Sequence, residues 1–230
     1  IVRLSLNEIH LLLPLIRRHL TYDERIDIED DKVIARPANA TEYDKFGDHL
    51  IIIESTIKSL VKNQDEDNQD CGKNCLTNRF RLQDLETLLS RLRDTMGDIC
   101  EYLEDVHKHW SKLISQTGSD KFTAAEGALR IICVWISEDS ISFESQCKRF
   151  LIDLFIENLL LVDRPTNRDL IVLALHSASA FNDELRHILK ANPSHREALQ
   201  KYLDHVRELH LSANDTLRVP RKRNEKEFKL

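Results

Sequence analysis

Glycine and proline are scarce in this sequence, five of each in 230 residues. A β-sandwich or barrel needs a turn roughly every 8–12 residues, and turns draw heavily on those two residue types. Aromatic residues make up only 6%, and Leu and Ile carry most of the apolar mass. Such a chain favours helices over sheets. The glycines stand alone, at Gly47, Gly72, Gly97, Gly118 and Gly127, which excludes a Gly-rich loop cradling phosphates. No G-x-S-x-G elbow, H-E-x-x-H or C-x-x-C occurs, so common nucleophile and zinc signatures are missing. Basic residues are outnumbered, 33 Lys and Arg against 39 Asp and Glu, giving a net charge of −6. That balance argues against a general nucleic-acid binder, because phosphate contacts need clustered cations. No apolar run reaches the length of a membrane span, and no secretory signal is visible. The chain opens on Ile1 rather than Met, so it reads as a piece of a longer protein.

The cysteines are odd in number: Cys71, Cys75, Cys100, Cys133 and Cys147. Cys100, Cys133 and Cys147 fall on apolar helical faces, where Cys behaves as a small hydrophobe. No secreted disulfide framework is legible, and a reducing, cytosolic setting is the expectation.

What is present is helical periodicity, centred on Thr123–Phe155, TAAEGALRIICVWISEDSISFESQCKRFLIDLF. Thr123 with Glu126 has the form of a capping box. Ala125, Leu129, Ile132 and Ile136, with Trp135 beside them, define one apolar face. Across the acidic hinge Glu138-Asp139-Ser140, Ser140 is placed to cap a second helix. Phe143, Cys147, Phe150, Leu151, Leu154 and Phe155 recur on it with the same period. Two amphipathic helices joined this closely pack antiparallel and leave outer faces for further helices, the unit of helical-repeat solenoids.

The rest of the chain fits that plan. Residues 1–20 are apolar on most sides and should be buried, with Pro14 ending or kinking the helix near Leu13. Residues 21–40 read as an exposed linker. Thr41 with Asp44 opens a helix to about Lys62, lined by Phe46, Leu50, Ile53, Ile57, Leu60 and Val61. Residues 63–78 read as a flexible loop. Leu82, Leu85, Leu89, Leu92, Met96, Ile99, Leu103 and Val106 form a heptad-like seam. A long helix spanning two layers is preferred there over half of a coiled coil. Trp110 reads as a core anchor on a short additional helix. Thr166 with Asp169 caps a further helix, a short one starts at Asp183, and Ser194 with Glu197 makes another capping box. The fold class expected is all-α, an armadillo/HEAT-like α-solenoid of stacked antiparallel helix pairs over residues 1–211. Its structural anchors are Trp135, Phe143, Phe150 and Trp110.

Residues 212–230 lose the pattern and form a basic tail with Arg218, Arg221, Lys222 and Arg223 as contact candidates. A solvated end is preferred over a nuclear signal or a lipid or RNA contact. Chemistry is otherwise thin. Cys71 and Cys75 lack a second ligand pair for zinc. His205 and His210, or His107 and His109, diverge on a helix. Glu138-Asp139 and Glu101 with Asp105 suit a solvated helix better than acid–base work. No catalytic residue, metal or cofactor is assigned.

Ala128–Phe150, with Trp135, Glu138 and Asp139 as its best-matching residues, resembles the neurochondrin family's apolar, Arg-containing helix with its adjoining Trp-Leu-Ala-Glu-Glu. Val2-Arg3-Leu4-Ser5-Leu6-Asn7-Glu8 is similar to an upstream segment of that family. The order and spacing of helices over Arg168–Leu209, with Lys201-Tyr202-Leu203, also fit. The resemblance covers about two thirds of the chain and would make it a distant member, the middle or C-terminal part. It implies a non-enzymatic cytosolic adaptor in neuronal signalling and neurite outgrowth that restrains kinase and receptor signalling. Implied partners are receptor tails, kinases or cytoskeletal regulators, with dendritic location and peripheral membrane contact. The alternatives are a helical-repeat regulator of G proteins, of exchange-factor type, and a trafficking scaffold.

Overall fold

The computed structural model describes residues 1–21, 38–66, 81–159, 161, 167–180 and 182–218, with side chains described except at 21, 62–66 and 209–218. Among these residues all regular structure is helical. In chain order the helices are α1 Val2–Thr21, α2 Ala40–Glu66, α3 Leu82–Lys108, α4 Trp110–Ile114 and α5 Asp120–Glu138. A 3₁₀ turn Ile141–Phe143, the single turn α6 Glu144–Gln146 and a π-helical turn Cys147–Leu151 lead into α7 Ile152–Leu159. Then come α8 Arg168–Ala180, α9 Asp183–Ala191 and α10 Pro193–Arg218.

Helix α5 is the hub, packing on α2, α3 and α8. Every residue from Ile131 to Ile136 is buried, as are Ala124, Ala125, Ala128 and Leu129. A helix surrounded in this way is apolar all round, so the single apolar face expected for it was too narrow. Its alanines let neighbours approach. At Gly127 a Cβ would lie 3.2 Å from Leu50 Cδ1 of α2. The flanking contacts run α1 with α2 and α3, α3 with the π turn, α7 with α8 and α10, and α9 with α8 and α10.

The expected break at Pro14 does not occur: α1 runs unbroken through it. Pro14 and His10 are both exposed, so water can take the place of the bond that the His10 carbonyl loses. Nor is α1 buried all round. Leu6, Ile9, Leu13, Ile16 and Leu20 are buried, while Leu4 and Leu11 are 62% and 67% exposed. The seam of α3 is likewise half realised. Leu92, Met96, Ile99, Leu103 and Val106 are buried, whereas Leu82 is 70% exposed and Leu89 43%. The first turns of α3 are therefore largely exposed, with Leu88 packing partly buried against the core.

The helix caps also differ from expectation. Asn39 caps α2 in a reciprocal box: its Oδ1 accepts the Glu42 N–H at 3.1 Å, and Glu42 Oε2 accepts the Asn39 N–H at 2.8 Å. Thr41 is thus already inside the helix. Ser119, not Thr123, caps α5 by accepting the Phe122 N–H. Asp139, not Ser140, holds the 3₁₀ turn through the Ser142 N–H and hydroxyl, at 3.3 and 2.6 Å. Asn192 accepts the Ser194 N–H beside Pro193, the first residue of α10. Glu197 instead pairs with Lys201. Thr166 lies outside the described residues. The regular helix expected from Phe143 to Phe155 is irregular, although its apolar positions are all buried. The π turn's extra residue rotates α7 relative to the preceding turn, so that Ile152 and Ile156 also face inward.

Trp110, Trp135, Phe143 and Phe150 are all buried. Trp110 stacks on Phe122 with centroids 5.9 Å apart. The tail begins later than expected, because α10 continues to Arg218. Arg221, Lys222 and Arg223 lie outside the described residues, as do Cys71 and Cys75 and most of the expected loop over 63–78.

Candidate functional site

Three helix ends meet where the last turns of α2 and α5 face the largely exposed start of α3. Leu92 is buried in the core while Leu89 is partly exposed, and a groove is left between the three helices. It has a volume of about 210 Å³ and is lined by Ile57, Leu60, Val61, Leu89, Arg93, Trp135, Glu138 and Asp139. Its walls are apolar and its rim is charged. Arg93 Nη2 lies 3.5 Å from Asp139 Oδ2. The capping bonds to Ser142 fix the Asp139 carboxylate. Glu138 is exposed, and Ile141, two residues past Asp139, is 83% exposed.

A second cavity of about 360 Å³ opens between α1 and α3, lined by His10, Leu13, Pro14, Arg17 and Asp98. Its ionisable groups are bound to one another or to neighbours. His10 Nδ1 lies 2.5 Å from Asp98 Oδ2, and its Nε2 lies 3.3 Å from Thr95 Oγ1. Arg17 donates to Asp105 at 2.9 Å and to Glu101 at 3.0 Å. These links tie α1 to α3.

One buried polar centre was not foreseen. His195, 4% exposed, donates its Nε2–H to Asp153 Oδ1 at 2.8 Å and joins α10 to α7. The Asn192 amide nitrogen is 3.1 Å from the same atom. The other ring nitrogen, Nδ1, is buried, while the Asp153 side chain is half exposed. The sequence gives only a weak signal here, since His195 lies two residues past the helix start and its partner is 42 positions away. The thiols Cys100, Cys133 and Cys147 are free and buried. Burial pushes all three above the ordinary thiol range, Cys147 to about 12, so they stay protonated and unreactive at neutral pH. Among the described residues no three His, Cys, Asp or Glu side chains are placed to hold a metal ion. Nor is any described helix long and apolar enough to cross a membrane.

Comparison with protein-family models, curated proteins and solved structures finds no match. The groove is accordingly judged on its own geometry. Of the residues singled out from the sequence, it brings together Ile57, Leu60, Val61, Leu89, Trp135, Glu138 and Asp139, whereas Phe143, Phe150 and Trp110 serve the core alone. Phe150 has the Arg149 guanidinium 5.7 Å from its ring centroid and the His107 ring 6.1 Å away. Arg93 and the α2 residues of the groove come from more than 40 positions upstream of Trp135, beyond the reach of local pattern.

Proposed function

We propose that this chain is a non-enzymatic protein-interaction scaffold built as an armadillo/HEAT-like α-solenoid. The observation that carries the reading is the order of packing. One row comprises α1, α3, the π turn with α7, and α10; the other comprises α2, α5, α8 and α9. Each row's members touch in sequence, and the rows touch pairwise as α1 with α2, α3 with α5, α7 with α8, and α9 with α10. Stacked pairs of this kind bury their core between rows and present extended outer surfaces to partners. The groove lies on such a surface. The ionisable clusters, by contrast, are consumed in links between helices.

The likeness to neurochondrin gives the proposal its direction: neuronal signalling and neurite outgrowth, with kinase or receptor signalling restrained by contact. Receptor tails, kinases and cytoskeletal regulators are the partners to try first. The test is affinity capture from neuronal cytosol, then reconstitution of each captured candidate with the purified chain. A direct complex of fixed stoichiometry is expected. If no purified candidate binds directly, or if the chain at catalytic amounts speeds nucleotide release from a G protein, the scaffold reading falls.

A further inference from the structure

The groove permits a sharper statement, which rests on the scaffold reading. At about 210 Å³ it is smaller than the ~300–1,000 Å³ of pockets that enclose drug-sized ligands. It suits one or two inserted side chains. Ile57, Leu60, Val61, Leu89 and Trp135 give it apolar walls on three helices. The rim is unequal in charge. Glu138 and Asp139 both sit at the C-terminal end of α5, where the helix dipole adds about half a negative charge. Among the described lining residues the Arg93 guanidinium alone stands against them, 3.5 Å from Asp139. An acidic segment or an anionic lipid surface would be repelled by this rim. A basic amphipathic segment would be attracted by it.

We infer that the groove binds a short amphipathic helix of a partner protein. Two apolar side chains one turn apart enter between Leu89 and Trp135, and a neighbouring Lys or Arg is held by Glu138. This is helix-in-groove recognition with a charge that sets orientation.

The experiment uses the full chain and a fluorescein-labelled, Ala-rich helical peptide carrying two Leu one turn apart and flanking Lys residues. Fluorescence anisotropy should give saturable binding that weakens with salt. Exchanging the peptide's Lys for Glu, or making Glu138→Lys in the protein, should weaken it about tenfold. Leu89→Asp should abolish it. Leu11→Asp, at a still more exposed apolar position on α1 (67% against 43% for Leu89), should leave it unchanged. Equal binding of the Lys and Glu peptides, or equal loss from Leu11→Asp and Leu89→Asp, overturns the proposal. So does concentration-dependent self-association of the chain that Leu89→Asp removes, because a second copy would then fill the groove. A reconstituted partner that binds the Glu138→Lys and Leu89→Asp proteins undiminished keeps the scaffold reading and rejects the groove.

Discussion

Replacing glycines by alanine, one at a time, tests the helix packing at four points with opposite expected signs. Gly47 in α2 and Gly97 in α3 have nothing within 4 Å of where a Cβ would stand. There the substitution changes only backbone entropy and helix propensity, a gain of about 0.8–1 kcal/mol. For a chain of this size each kcal/mol raises the melting temperature by roughly 2–4 °C, and the two sites, on different helices, should add. Gly127 offers the same propensity gain, but its Cβ would lie 3.2 Å from Leu50 Cδ1. Leu50 is itself buried, so it yields only by straining its rotamer, at about 0.5–1.5 kcal/mol, and the net change should be near zero. Gly118 has φ of 91° in the turn before α5. A side chain there costs about 1–2 kcal/mol in the left-handed region. Thermal unfolding monitored by circular dichroism at 222 nm gives the ranking directly. The expected order is Gly97→Ala and Gly47→Ala above wild type, Gly127→Ala level with it, and Gly118→Ala below. A Gly97→Ala protein that melts as low as Gly118→Ala would mean that the space beside α3 is not open, and the packing described would be wrong.

Trp135→Ala should cost about 3–5 kcal/mol, since the indole is only 6% exposed; an unchanged melting temperature would remove it from the core. Asn39→Ala should cost about 0.5–2 kcal/mol through loss of the α2 cap, whereas Thr41→Ala should cost little. The reverse result in urea unfolding would restore the cap to Thr41. Glu54 accepts two hydrogen bonds from Arg130, at 2.7 and 2.8 Å. Those bonds hold its carboxyl below the ordinary 4.5, with burial opposing. The stabilisation is therefore complete above that ordinary value and fades as pH falls through the lower folded one. Glu54→Gln should lose about 1–2 kcal/mol at neutral pH and show a flatter stability profile below about pH 4.5. If wild type and variant lose stability in parallel on acidification, the pair contributes nothing measurable.

Periodicity made much of the fold legible, because burial on a helix recurs with the helix's own turn. Phe46, Ile53, Leu103, Phe143 and Phe155 are all in the core, as their spacing requires. Caps were less legible for a physical reason. Ser, Thr, Asp and Asn crowd the starts of α2 and α5 and the turn after α5, and several can form the same bond. Tertiary packing decides which of them stands just outside the first turn, and it chose Asn39, Ser119 and Asp139 over Thr41, Thr123 and Ser140. Pro14 does not break α1 because a proline's cost depends on whether its partner carbonyl can reach water, which local pattern does not reveal. The groove was not legible at all. It exists because α3 begins ten residues before its first buried leucine, Leu92, and because two other helices end nearby.

The polar links between helices bear on what kind of molecule this is. In the proposed two-row arrangement, Arg17 joins α1 to α3, Arg149 joins the π turn to α3, and Arg130 joins α5 to α2. Each link runs between successive helices of one row. The more exposed Arg17 and Arg149 links contribute little stability apiece, about 0–1 kcal/mol for a surface pair, and the better-buried Glu54 somewhat more, so the apolar core must supply most of the stability. What the links can do is fix register, since sliding one helix by a turn against the next would separate partners now within 2.6–3.0 Å. The carboxylates of Glu54, Glu101, Glu104 and Asp105 are thereby committed to positioning. Glu138 differs: it sits exposed on the groove rim at the end of the central helix, where its charge is presented outward. A charge so placed can meet a partner's opposite charge without first being freed from a link between helices.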